Sequence, residues 1–290
     1  MGFRSIIKSI GNAFSTYSRI PIPQGKNANW NPEDMRYTLG FFPWVGILLG
    51  ALEYITFRFL PVPAVAKALV MAVLPLIITG GIHVDGFMDT VDAFHSYGDR
   101  EKKLKILSDP HIGAFAVIRV LILAGLYLAG LVVITQGTGS NGILQIYIGA
   151  AADVQLQREI GFVFAGTFIL SRVASGILVL TQPSAKKDGM VADLKSGVDG
   201  SGTGGKAQYM KGNMILLVGM GLLVGIAGLI ISPLMMTMAL LALVFTTGWF
   251  LFGRIRPLGG ITGDLAGWYL SVSECAMLLA IAAECCAYRI

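Results

Sequence analysis

Charge is scarce in this chain: 13% of its 290 residues are Asp, Glu, Lys or Arg, about half the share of an ordinary soluble domain. With 54% hydrophobic residues and a mean hydropathy of +0.70, a soluble globular protein is excluded and an integral membrane protein follows. Cysteine is rarer still. Cys275, Cys285 and Cys286 fall in or near the last apolar run without metal-ligand spacing, which removes a disulfide framework and leaves packing residues. Thiolates are thus lacking and there are three histidines, so a zinc or copper site has little to draw on. An uninterrupted apolar leader is also missing: the first 38 residues carry Arg4, Lys8, Arg19, Lys26 and Arg36, against a cleavable signal peptide. Phe3, Ile6, Ile7, Ile10 and Phe14 recur there at helical spacing, which predicts a cytoplasmic segment over 1–38 lying partly in the interface.

What the chain has in quantity is long apolar runs. Measured against the roughly 20 residues that cross a bilayer, they predict spans near 39–60, 65–80, 112–135, 160–180, 212–231, 233–252 and 266–287. The expected fold is all-α, a polytopic transmembrane helix bundle of about seven spans forming one integral membrane domain over 1–290. The segment 143–159 either extends the fourth span or lies flat at the surface, because Asp153, Gln155, Gln157, Arg158 and Glu159 follow its apolar start. Basic residues gather in the N-terminal segment, in 81–111, in 181–211 and in 253–258, whereas the Gly/Ser/Asn-rich stretch 137–142 and the other connections carry almost none. Seven spans put the basic segments on one side, which the positive-inside rule makes cytoplasmic. The net charge of +5 suits phosphate-bearing substrates or anionic lipid headgroups; in a chain this apolar it does not signal nucleic acid.

The acids collect on the same side, most densely in GGIHVDGFMDTVD at 80–92. If the stretch after Gly81 is helical, Asp85, Asp89 and Asp92 stand within about 60° of one another around the axis. Three like charges on one stripe need a cation or a proton among them. Hard oxygen ligands in that number suit Mg²⁺ or Mn²⁺. His83 is a ligand, a general base or a residue that hydrogen-bonds backbone, and Gly80, Gly81 and Gly86 permit close backbone approach. The run GSGTGGK at 200–206 has P-loop spacing, but Ala207 stands where Ser or Thr would hold magnesium and no strand precedes it. A flexible cytoplasmic loop is the reading for it.

Six blocks occur in order: SRIPIP at 18–23, FFPWVGILLG at 41–50, GGIHVDGFMDTVDAF at 80–94, REKKLKILSDPHIGAF at 100–115, SR at 171–172 with AKKDG at 185–189, and LGGITGDLAGWYLSVSE at 258–274. In these the chain resembles the cobalamin synthases, the adenosylcobinamide-GDP ribazoletransferases. The resemblance implies a multi-pass enzyme of the cytoplasmic (inner) membrane with its site facing the cytoplasm. It would join adenosylcobinamide-GDP to α-ribazole, or to its 5′-phosphate, and release GMP with Mg²⁺. On that view Asp85, Asp89, Asp92 and Asp264 hold the metal, and Asp89 or His83 takes the hydroxyl proton. Arg19, Gly81, Asp109, Arg172, Lys186 and Gly263 meet the substrates, although the family places an arginine at the position of Lys186. Three of these have competing tasks: Arg172 as the partner of an acid such as Asp264, Asp109 as a turn residue, and Asp264 as a helix N-cap. A broad, partly apolar corrin ring calls for a wide pocket between spans. Membrane lipid is the other expected partner, and a homo-oligomer is compatible with the sequence. The rivals are a CDP-alcohol phosphotransferase, whose arginine after the first aspartates this chain lacks, and a cation transporter, which would carry its acids near the midplane.

Overall fold

The structure, a computed structural model, describes residues 3–21, 37–136, 150–187, 189, 191, 192, 194, 195 and 202–287, with side chains at 3–5, 150–153 and 202–208 left aside. The described residues form ten helices: α1 (Phe3–Tyr17), α2 (Phe42–Phe59), α3 (Ala64–Thr79), α4 (Ile82–His95), α5 (Arg100–Ile106), α6 (Ala114–Gln136), α7 (Ala150–Thr181), α8 (Gly202–Ile231), α9 (Pro233–Phe250) and α10 (Gly263–Ala287). The all-α bundle expected from composition is what forms, and no strand occurs among the described residues. Lys26, Arg36, the stretch 137–149 and Asp188, Asp193 and Asp199 lie outside those residues.

Five helices are long and apolar enough to cross a membrane: Ala114–Gln136, Val154–Thr181, Tyr209–Ile231, Pro233–Leu258 and Gly263–Ala287. They match five of the seven predicted spans. The first two predicted spans differ. α2 carries Glu53 and Arg58 and falls short of that apolarity, yet it lies along α7 through the bundle. α3 is 16 residues long and qualifies only together with α4, from which it is bent by 90°. The segment 150–159 runs on into the fourth span as the start of α7, so that part of 143–159 extends the span. In GSGTGGK the last five residues begin α8, a helix where a loop was expected.

Packing makes α10 the hub, touching α4, α6, α7 and α9, while α7 lies between α2 and α8. α7 is the most enclosed of the crossing helices, and α6 and α8 turn most of their surface outward. This is the division an apolar solvent produces, since lipid-facing helices need no polar face. Around α10, Phe250 stacks on Trp268 at 5.6 Å and meets Tyr269 at 5.0 Å, and the Tyr269 hydroxyl bonds Thr247 Oγ1 at 2.6 Å. α9 ends in a π-helical turn, Leu251–Ile255, and one further turn, Arg256–Leu258. Gly259, at φ 66°, stops it.

Two features turn the bundle's end into a site. Gly80 and Gly81 are both left-handed (φ 66° and 77°), a conformation that costs other residues about 1–2 kcal/mol each, and they swing α4 across the end of α3. A Cβ on Gly80 would lie 2.4 Å from Arg19 Nε. Elsewhere the segment after α7 meets the segment before α10 through a parallel bridge: Ile261 N donates to Pro183 O (2.8 Å) and Ala185 N to Ile261 O (3.0 Å).

Candidate active site

These two junctions bring residues far apart in sequence onto one cavity of about 360 Å³. α4 supplies Ile82, His83, Asp85 and Gly86; the start of α10 supplies Gly263, Asp264 and Gly267; the bridged segment supplies Ser184 and Lys186. Leu107 and Ser108 close it from the end of α5, and Tyr17, Leu39, Phe42, Val179, Val191, Leu194 and Leu270 form an apolar wall. α4 lies directly on α10. A Cβ on Gly86 would come within 2.8 Å of Asp264 O, so only glycine lets the two acid-bearing helices approach this closely.

Thr262, rather than Asp264, caps α10: Leu265 N donates to Thr262 Oγ1 (3.2 Å) and Ala266 N to Thr262 O (3.1 Å). Asp264 is thereby released to the cavity, where Lys186 Nζ stands 4.0 Å from its Oδ2. Lys186 also donates to Ser108 Oγ at 2.8 Å and Leu107 O at 3.3 Å. Arg100 braces the same corner, donating to Leu258 O (2.7 Å) and Ala185 O (3.2 Å). Three of the basic segments recognised in the sequence therefore meet at this end of the bundle.

Asp85 is exposed and Asp89 half-buried one turn further on. α4 has 14 residues, about 21 Å and too short to cross a bilayer on its own, and it lies in the segment 81–111 between the predicted spans. Burial, then Asp85, Asp264 and Asp92, push Asp89 up to about 6, with Lys186 pulling the other way. Crowded carboxylates raise one another's pKa unless a cation sits among them. Among the described residues no three His, Cys, Asp or Glu side chains converge on one point as a ready-made metal site.

A second, shallower depression of about 780 Å³ lies on the other side of Asp85, lined by Thr16, Ser18, Arg19, Thr79, Gly80, Gly81 and Met88 among others. Ile82 and Asp85 line both hollows. Arg19 N donates to Ile78 O (2.8 Å), which pins this arginine beside the glycine corner. Two adjoining hollows thus stand on this side of α4, in place of the one wide pocket expected for a broad substrate.

Several expected site residues are employed differently. Asp92 points away from the cavity and holds the start of α6, accepting from Gly113 N (2.5 Å) and Ala116 N (2.9 Å); the three-aspartate stripe is thus two residues and a cap. Arg172 is 1% exposed and bonds Glu274 Oε1 at 2.6 Å, Ser171 Oγ donating to the same oxygen at 2.8 Å. Its partner is Glu274 and not Asp264, and it stands behind the cavity wall, 5.7 Å from the Phe42 ring. Asp109 does not line the cavity: His111 donates to its Oδ1 from the ring (2.6 Å) and backbone (3.0 Å), bonds that hold this carboxyl below the usual range. Its neighbour Ser108 is the residue that reaches inward. His83 is partly exposed as a residue, but its Nε2 is enclosed without a partner. Burial, then the Arg172 guanidinium, push its pKa down to about 3, so the imidazole is neutral. Ser108, Ser175, Ser184 and Thr262 had no distinguishing spacing in the sequence; only the folded chain selects them.

Comparison with known proteins identifies the family. The family model described as cobalamin-5-phosphate synthase matches residues 9–282. The adenosylcobinamide-GDP ribazoletransferase of Lachnoclostridium phytofermentans is 32% identical over 283 residues, covering 95% of this chain and 93% of its own. Enzymes of that name from Clostridium perfringens and Pseudomonas aeruginosa are 30% and 28% identical over 270 and 281 residues, covering 92% and 96% of this chain and 94% and 99% of theirs. No solved structure matches. With that match running through both halves of the cavity, the chain belongs to the cobalamin-5-phosphate synthase family.

Proposed function

We propose that this protein joins adenosylcobinamide-GDP to α-ribazole, or to its 5′-phosphate, and releases GMP, using Mg²⁺ at the cytoplasmic face of the inner membrane. One observation carries the reading: two hollows meet at Asp85, one flanked by Lys186 and Asp264 and the other by Arg19. Two substrates seated side by side across one carboxylate bring a hydroxyl and a pyrophosphate together without a covalent enzyme intermediate.

Lys186 and Arg19 bind phosphate oxygens from opposite sides. The apolar wall around Phe42, Val179 and Leu270 takes the nonpolar part of one substrate, and about 360 Å³ fits a nucleoside-sized group, so the corrin ring lies at the mouth. A ring hydroxyl of the ribose, free in both acceptors because only the 5′ oxygen is esterified in the phosphate, bonds through its oxygen to the phosphorus attached to cobinamide. The bond from that phosphorus to the GMP oxygen breaks, its electron pair leaving with GMP. Asp89, beside Asp85 and Asp264, accepts the hydroxyl proton; His83, whose burial holds its pKa down to about 3, is the poorer base and orients instead.

Oxygen donors of this kind fit magnesium, which keeps several waters and takes one or two carboxylates plus substrate phosphates. Asp85 and Asp264 would hold it, with Asp89 close by; when bound it supplies charge neutralisation on the pyrophosphate oxygens. The gathering of Arg19, Arg100, Lys186 and Arg254 at the cavity end of the bundle supports the cytoplasmic orientation. Purified protein in liposomes, given adenosylcobinamide-GDP, α-ribazole and Mg²⁺, should release GMP only when the acceptor is present and should stop on chelation. GMP release that ignores α-ribazole would refute the joining reaction; release that survives chelation would remove the metal.

A further inference from the structure

On the opposite face of α4 from Asp85 and Asp89 lies a third hollow, of about 400 Å³, that the proposed reaction does not use. Phe87, Val91 and Phe94 of α4 form its floor, Ile122 and Leu123 of α6 one side, and Trp249 and Trp268 the other. Arg119 and Arg254 both point into it. They repel each other, and among the described residues no carboxylate pairs with either. Arg254 Nε is enclosed without an acceptor. Its guanidinium lies over the Phe94 ring at 4.4 Å and Trp268 at 5.1 Å, and Lys103 Nζ stands 5.0 Å from the same Phe94 ring. Unpaired guanidinium groups beside apolar helix faces are costly unless an anion joins them.

The surroundings narrow the anion. Arg119 is five residues beyond the start of α6, and Trp249 and Arg254 close α9 at the same end of the bundle. Tryptophan and arginine at that depth mark the headgroup level. On the two helices that flank it, Ile118 (52% exposed) and Ile122 (48%) of α6 and Phe245 (74%) of α9 are exposed and apolar, surface that acyl chains cover and a free anion does not need.

We infer that the Arg119–Arg254 hollow is a binding site for one anionic glycerophospholipid, its phosphate held between the two guanidinium groups and its chains lying against α6 and α9. Basic pockets between membrane helices recognise such headgroups, and arginine's forked donors suit a phosphodiester. Because the floor is the back of α4, a lipid seated here also braces the helix that carries Asp85 and Asp89.

The test is lipid binding to the full-length protein in detergent, read by native mass spectrometry, with phosphatidylglycerol and phosphatidylcholine titrated separately. Wild type should bind phosphatidylglycerol in preference, with one tight equivalent. Arg119→Gln and Arg254→Gln should each weaken that equivalent by roughly fivefold, and phosphatidylcholine binding should not change. Arg119 is exposed, so Arg119→Gln keeps the measurement usable if Arg254→Gln does not fold. Unchanged phosphatidylglycerol affinity in Arg119→Gln overturns the site. Displacement of the lipid by millimolar inorganic phosphate would identify a free-phosphate site and overturn the lipid assignment.

Discussion

At the residue scale the acids divide by environment more than by spacing. Asp85, Asp89 and Asp92 share one helical stripe, yet Asp92 spends both oxygens on the amides of Gly113 and Ala116 while Asp85 opens onto two hollows. Asp85→Asn and Asp264→Asn should therefore lower GMP release by about 10²-fold or more with an unchanged unfolding midpoint. Asp92→Ala should act on stability, costing about 1–2 kcal/mol through the lost cap, as read by reversible unfolding in mixed micelles. Asp89 yields a pH signature. Its folded pKa of about 6 lies above the unfolded value, so the folded state binds the proton more tightly. The stabilisation it contributes is present at low pH and is lost as pH rises through about 6. Without Mg²⁺, wild type should lose stability relative to Asp89→Asn across that window, and added Mg²⁺ should remove the difference. A pH-independent difference between the two proteins would contradict the crowded-carboxylate picture.

At the scale of elements, the glycine corner sets the site. Gly80 needs its left-handed backbone, and a methyl group there would collide with Arg19. Gly80→Ala is expected to cost about 1–2 kcal/mol and, by displacing Arg19, to raise the KM for the nucleotide substrate in a steady-state GMP assay. Adjacent glycines after an apolar run are readable from sequence as a possible turn; the 90° angle is not, because it depends on what packs on both sides. The same holds for the bridge between 183–185 and 261. Two polar segments separated by α8 and α9 have no local signal announcing that they will pair, yet that pairing puts Lys186 at 4.0 Å from Asp264.

For the whole molecule, the buried Arg172–Glu274 pair joins α7 to α10 in the bundle interior. Arg172→Ala should destabilise by about 3–5 kcal/mol, since it strands a carboxylate, whereas Arg172→Met with Glu274→Gln should recover much of the loss; unfolding midpoints of the three proteins check this. Turnover per folded molecule in the double variant should remain, as expected of a pair that stands behind the cavity wall and not in it. An all-helical membrane bundle was determined by the sequence by itself, because a bilayer leaves an apolar chain with little charge few other ways to satisfy its backbone. So was the acidic block at 80–92, since carboxylates beside an apolar run demand a reason. Which carboxylate faces substrate, which caps a helix, and which acid neutralises Arg172 were decided only in three dimensions. Those choices rest on contacts between segments as far apart as residues 85 and 264, and no local pattern encodes the distance between them.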